Sequence, residues 1–184
     1  MLGSGRGGCL PIWNGASTRE TFVKQANKSF GPDAANFLRL YPHANDDEAK
    51  RSAEDIASDV IINWPAWKWA DLQASSGKTK TYVYLFGKTP PKESHLKVAT
   101  HAVEIPYAFD NLKAHKYSWD PTDIRLAHIM STYYANFAKT GDPNGLGLPP
   151  WPVYHPADPQ RMVFDGPPRS APAIRSAASK RNSS

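Results

Sequence analysis

The run Thr81-Tyr82-Val83-Tyr84-Leu85-Phe86 constrains this chain more than any other stretch. All six residues are β-branched, aromatic or aliphatic. Because side chains alternate along a strand, both faces of such a strand are apolar. It therefore needs cover on both sides, as in a parallel sheet layered between helices, and does not suit a solvent-facing hairpin. An open apolar edge on it would be an association hazard.

The flanking segments read as helices. Ser17 or Thr18 is the candidate cap of a first helix, with Glu20 three residues after Ser17 and Phe22, Val23, Ala26 and Phe30 at helical spacing up to Gly31. Pro32 opens a second, short helix with Ala34, Ala35, Phe37, Leu38 and Leu40, and Pro42 ends it. Asn45 and the acidic turn Asp46-Asp47-Glu48 start a third, whose apolar stripe runs Ala49, Ala53, Ile56, Ala57, Val60, Ile61. Pro65 interrupts or kinks it, and Trp64, Trp67, Trp69 and Leu72 carry it to about Ala74. After the strand and a loop with Pro90 and Pro91, Asp120 or Thr122 caps a helix. It carries Ile124, Leu126, Ala127, Ile129, Met130, Tyr133, Tyr134 and Phe137 inward and stops near Thr140-Gly141. Extended pieces are expected at Trp151–Tyr154 and Met162–Phe164. Helices, an interior-type strand, a helix and short strands make an α/β architecture.

Composition removes several classes. The 184 residues suffice for one globular domain, and a mean hydropathy of −0.55 with no apolar run near 18 residues leaves no membrane-spanning segment. Cys9 is the single cysteine, so there is no intramolecular disulfide and no cysteine metal site. Met1–Gly15 holds five glycines and no apolar core of the kind an export signal needs, which makes the cytoplasm the default compartment. Its Gly3, Gly5 and Gly8 fit the spacing G-x-G-x-x-G, but only Met1 and Leu2 precede them where a dinucleotide site needs a strand, so no cofactor is expected. Five of the 22 basic residues lie outside Thr18–Asp165, leaving 17 against the 17 acids within, and the net charge of +5 belongs to the ends. No nucleic-acid partner follows from it. The expected organisation is a glycine-rich, disordered lead-in at 1–17, a folded body at 18–165 and a basic Ser/Ala/Pro-rich disordered tail at 166–184.

Of the six histidines, none forms an i, i+4 pair with another, there is no H-E-x-x-H, and no metal site is expected. His43, His115 and His155 lie in polar loops, and His128 is a packed or edge residue of its helix. His101 opens the segment His101-Ala102-Val103-Glu104-Ile105-Pro106-Tyr107-Ala108-Phe109 on the loop after the interior strand, where α/β proteins place reactive side chains. On the residues alone it is either such a group or an ordinary loop histidine near Glu104.

This segment resembles the catalytic-histidine motif of the type-B carboxylesterases, the α/β-hydrolases that include cholinesterases and para-nitrobenzyl esterases, where His-Gly-x-Glu-[Ile/Leu]-Pro-Tyr-x-Phe is typical. The block Asn136-Phe137-Ala138-Lys139-Thr140-Gly141-Asp142-Pro143-Asn144 and the later Trp151-Pro152-Val153-Tyr154 are similar to the family's downstream stretch. The Trp-rich segment Asp59–Gln73 ahead of Tyr82–Phe86 sits in the family's order. The resemblance implies the C-terminal third of an α/β-hydrolase fold with an incomplete sheet, whose substrates in a completed enzyme are small carboxylic esters. It makes His101 the general base and gives Glu104 a supporting role in orienting the loop. Ala102 departs from the family's glycine and is tolerable where φ is negative.

The rest of the catalytic set is not found. No serine has glycine at both minus two and plus two, no HGGG-type oxyanion loop occurs, and Gly3–Gly8, where the family carries its triad acid, holds no carboxylate. The resemblance thus implies an esterase fragment inactive alone and prone to self-association, with a non-catalytic remnant or interaction module as the alternative.

Overall fold

Helices form where capping and apolar spacing agree. The computed structural model describes residues 2–4, 18–77, 79–96, 99–100 and 102–173. Helix α1 (Arg19–Phe30) is capped by Thr18, whose hydroxyl accepts the Thr21 N–H (3.2 Å) while the Thr21 hydroxyl accepts the Thr18 N–H (3.0 Å). The box closes on Thr21 and leaves Glu20 outside it. Helix α2 (Ala34–Leu40) follows a 3₁₀ turn over Gly31–Asp33. Helix α3 (Asp46–Ser58) starts at Asn45, whose side-chain oxygen accepts the Glu48 N–H at 2.9 Å, and its three first-turn acids face the positive end of the helix dipole. Phe22 and Ala26 of α1, Tyr41, and Ala49, Ala53 and Ile56 of α3 make one core.

Pro65 has no N–H to give to the Ile61 carbonyl, and the chain widens just before it. Asp59–Asn63 is a π-turn, with the Trp64 N–H bonded to the Asp59 carbonyl, and α4 (Trp64–Ser76) continues. The predicted interruption is a change of helical pitch. Asp59, buried in this turn, accepts from the Tyr41 hydroxyl (3.1 Å) and from Asn63 (3.0 Å). The described residues divide into two compact units, 18–65 in one and 2–4 with 66–173 in the other, where the sequence predicts a single body at 18–165.

The second unit is built on a four-stranded sheet in the order β1-β2-β3-β4: β1 (Leu2–Ser4), β2 (Val83–Phe86), β3 (Gln160–Phe164) and β4 (Arg169–Pro172). β1 and β3 run parallel to β2, with Gly3 opposite Tyr84 and Phe86 opposite Phe164, and β4 runs antiparallel to β3. Tyr82, Tyr84, Phe86, Met162 and Phe164 pack with Leu126, Ala127, Met130 and Tyr133 of α6 (Pro121–Thr140) and with Trp151. Leu85 and Val163, whose side chains alternate onto the opposite face, are buried too. The β2 strand is therefore interior, as its composition requires.

Four expectations change. β2 has no open edge, because β1 and β3 flank it. Leu2–Ser4 forms a strand although it lies in the predicted disordered lead-in, and Arg169–Pro172 forms one within the predicted disordered tail. Trp151–Tyr154 is not a strand: Pro149, Pro150 and Pro152 have no N–H to give a ladder. On α6 the cap is Asp120, with Pro121 in the first turn and Gly141 closing the end at φ 75°, while Ile124 faces outward. No described helix is long and apolar enough to cross a membrane.

Candidate active site

His101 itself lies outside the described residues. Its neighbours are described, and they follow the carboxyl end of β2. The Gly87 and Lys88 N–H groups both bond to the Phe164 carbonyl (2.9 and 3.1 Å), extending the β2–β3 pairing, and a Cβ on Gly87 would stand 3.2 Å from Asp165. Beyond His101 the chain turns tightly. Ile105 N–H bonds to the Ala102 carbonyl (3.2 Å), and Ala102 has φ +68°. The sequence admits alanine here on condition of negative φ; the backbone is instead left-handed, the region glycine enters at no steric cost. This accounts physically for the glycine typical of the motif.

Helix α5 (Ile105–Ala108) starts at Glu104, whose carbonyl accepts the Tyr107 and Ala108 N–H groups (3.0 and 2.9 Å). The Glu104 carboxylate, half-buried, adds to the burial that raises the pKa of Tyr84 and Tyr134, two phenols hydrogen-bonded to each other at 2.9 Å. Ile105 and Phe109 point outward; Tyr107 points in and is fully buried against Phe86 and Trp119. The Tyr107 hydroxyl donates to Asp123 Oδ1 (2.8 Å), and Lys88 Nζ lies 3.2 Å from the same oxygen and 3.1 Å from Asp120 Oδ2. Asp123 Oδ2 accepts the Asp120 N–H (3.0 Å), and Asp120 Oδ1 accepts the Asp123 N–H (2.8 Å), the reciprocal box that opens α6. Burial works against the Lys88 charge, yet the two carboxylates outweigh it and raise the pKa. Tyr107 is pushed up by burial first and by Asp123 second. A cavity of about 370 Å³ opens beside Lys88, between Thr89–Pro91 and Ser118–Asp120.

The second block that carries the resemblance is a clasp. The single Thr140 hydroxyl proton is shared between the carbonyls of Asn136 (2.9 Å) and Asp142 (3.0 Å), and Asn136 reaches across to the Pro143 carbonyl (3.1 Å). Asp142 accepts from the backbone and side chain of Asn144 and pairs with Lys80 at 2.8 Å, which together hold its pKa well below the usual carboxylate range. Asn144 then binds both backbone groups of Trp151, accepting its N–H (2.7 Å) and donating to its carbonyl (3.0 Å). Trp151, buried among Tyr82, Tyr84, Tyr133 and Phe164, donates its indole N–H to the Val83 carbonyl of β2 (3.1 Å). Burial, with Asp142 nearby, raises Tyr82 to about 12. Tyr154 closes the arrangement through Asp71 (2.8 Å) and the Thr81 carbonyl (2.8 Å). These residues brace the strand that leads to His101.

A profile of the carboxylesterase family matches residues 14–181. The chain belongs to the carboxylesterase family. Among curated relatives it is 32% identical to the cocaine esterase of Homo sapiens over 107 residues, 55% of this chain and 19% of that protein. It is 37% identical to carboxylesterase 1E of Mus musculus over 104 residues (54% and 18%), and 32% identical to the acetylcholinesterase of Gallus gallus over 112 residues (59% and 14%). The chain thus spans about a fifth or less of the length of these carboxylesterase relatives. An α/β-hydrolase architecture goes with the family, and the mixed sheet with its parallel β1-β2-β3 core agrees with part of one.

Sequence reasoning singled out His101 and Glu104, had Asn144 within a family-like block without a role for it, and missed Lys88 and Asp123. One signal for Asp123 was present: it falls on the apolar stripe of α6, three residues before Leu126 and seven before Met130, where a carboxylate needs a partner. His128 is exposed, 3.6 Å from Asp110. Among the described residues no three His, Cys, Asp or Glu side chains gather as a metal site.

Proposed function

We propose that the chain is the C-terminal part of a serine carboxylic-ester hydrolase and supplies its general base, His101. The observation that carries this reading is the place of the His101 motif in the chain, on the connection that leaves the carboxyl end of an interior parallel strand in a member of the carboxylesterase family. β1 lies parallel beside β2 and ends at the same rim of the sheet. Loops leaving neighbouring parallel strands at one rim are where an α/β-hydrolase joins its acid to its histidine.

In the proposed reaction the imidazole of His101 takes the proton of a serine hydroxyl as its oxygen attacks the ester carbonyl. It returns that proton to the departing alkoxide when the tetrahedral adduct collapses, leaving an acyl-serine and a free alcohol. Water, deprotonated by the same imidazole, then releases the acid and restores the serine. An acid on the other ring nitrogen holds the tautomer. The segment 102–109 orients the histidine, with Glu104 beginning α5.

The chain carries no G-x-S-x-G elbow, no HGGG-type loop and no carboxylate in Gly3–Gly8. Loss of a triad serine alone costs on the order of 10⁶ in kcat. The purified chain is accordingly expected to hydrolyse p-nitrophenyl acetate no faster than an equimolar imidazole control. Mixed with an N-terminal carboxylesterase segment that bears the elbow and an acid, it should gain a phosphonate-sensitive esterase activity that His101→Gln abolishes. Phosphonate-sensitive hydrolysis by the chain alone, or a reconstituted activity that survives His101→Gln, overturns the proposal.

A further inference from the structure

We propose that Asp123, held by Lys88 and Asp120, is a positioning residue: through the Tyr107 hydroxyl it fixes segment 102–109 and so sets the approach of the base at His101. This rests on the role proposed above for His101, but the network stands on its own geometry.

Segment 102–109 packs on the core through Val103, Tyr107 and Ala108, and of these three Tyr107 alone has a polar side-chain atom that can bond to α6. α5 is a single turn, Ile105 and Phe109 are exposed, and Ala102 carries a left-handed backbone. Its anchor is Tyr107. For packing alone a phenylalanine would serve against Phe86 and Trp119, and an apolar residue would serve at 123, which is only 2% exposed. A carboxylate there is costly unless fully partnered, and polar groups retained in a core are best explained by the geometry that they specify.

Each oxygen of Asp123 has an assigned role. Oδ2 binds the Asp120 N–H and is thereby fixed to the N-terminus of a twenty-residue helix. Oδ1 receives both the Tyr107 hydroxyl and Lys88 Nζ, and Lys88 stands two residues past the end of β2. The strand end, the helix N-terminus and the histidine-bearing segment thus meet at one atom. Both partners of that atom donate from different elements, so a shift of the segment relative to β2 stretches one bond or the other. A charged, desolvated junction of this kind resists displacement more than apolar packing, which slides with little loss.

A role in overall stability and a role in positioning predict different patterns. The full chain and its Tyr107→Phe and Asp123→Asn variants are compared by amide hydrogen exchange and by histidine side-chain NMR, with the His101 imidazole signal assigned by its loss in His101→Gln. Tyr107→Phe keeps the ring and removes one hydrogen bond. It is expected to speed exchange at Val103–Asp110 about tenfold and to move the His101 signal, while exchange in α6 and in β2 stays as it was. Asp123→Asn loses the attraction for Lys88 and turns an NH2 toward either the Asp120 N–H or the Tyr107 hydroxyl, so it should speed exchange at Val103–Asp110 together with the first turn of α6, again leaving β2 as it was. Exchange that is unchanged at 103–110, that rises equally across residues 66–173, or a His101 signal indifferent to Tyr107→Phe overturns the proposal. A tether found by exchange and NMR, together with failure of His101→Gln to affect reconstituted hydrolysis, supports the positioning device and removes the catalytic role, so the two can fail separately.

Discussion

Replacing Ala102 by glycine should stabilise the chain, whereas alanine-to-glycine changes elsewhere destabilise it. At φ +68° an L-residue with a Cβ carries a penalty of about 1–2 kcal/mol relative to glycine. Against this, glycine widens the unfolded ensemble by about 0.4–1 kcal/mol, and the loss of a half-buried methyl subtracts roughly 0.4 kcal/mol. The net gain is on the order of 0.5 kcal/mol. Ala135, exposed on α6, has helical geometry, and glycine there should cost about 1 kcal/mol. The two substitutions remove the same methyl yet differ by about 1.5 kcal/mol in effect, a separation that urea melts followed by circular dichroism resolve. A third variant, Ala102→Val, puts a β-branched residue in the left-handed region and should fall below the parent. If Ala102→Gly destabilises as much as Ala135→Gly, the left-handed turn is not the conformation in solution, and the account given for the family's glycine fails with it.

Trp151→Ala should cost about 3–5 kcal/mol, because it empties the centre of the aromatic cluster and frees the Val83 carbonyl; a loss below about 1 kcal/mol in a denaturant melt would contradict the bracing role given to this residue. The folded-state pKa of Asp142 lies below its unfolded value, so its contribution is complete above about pH 4 and is lost as pH falls toward the folded value. Asp142→Asn should therefore flatten the acid limb of the stability profile and lower stability at pH 7 by about 1 kcal/mol or less, since the Lys80 pair is exposed; an unaltered acid limb argues against the depressed pKa. The chain is expected to self-associate through exposed apolar side chains such as Phe109 (76% exposed) and Trp69 (61%), and light scattering showing a monodisperse monomer at working concentration would count against this.

The legible parts of this molecule are those whose determinants lie close together in sequence. For α6, a cap, a first-turn proline, an apolar stripe and a terminal glycine fall within 22 residues, and local chemistry specifies the helix at both ends. β2 is legible because both of its faces are apolar, a property that only an interior position satisfies. β1 and β4 lack such marks. Leu2-Gly3-Ser4 has no alternation, and Arg169–Pro172 is mostly exposed and ends in a proline; each is a strand because β2 or β3 offers it an unpaired edge, which no window of sequence contains. The same distinction runs through the candidate site. His101 stands out by motif, whereas Lys88, Tyr107 and Asp123 span 36 residues and become a unit only when strand end, loop and helix converge. A carboxylate on the apolar stripe of α6 marks one member of that unit in advance, because position 123 could not be buried as it is unless some other part of the chain supplied its partners.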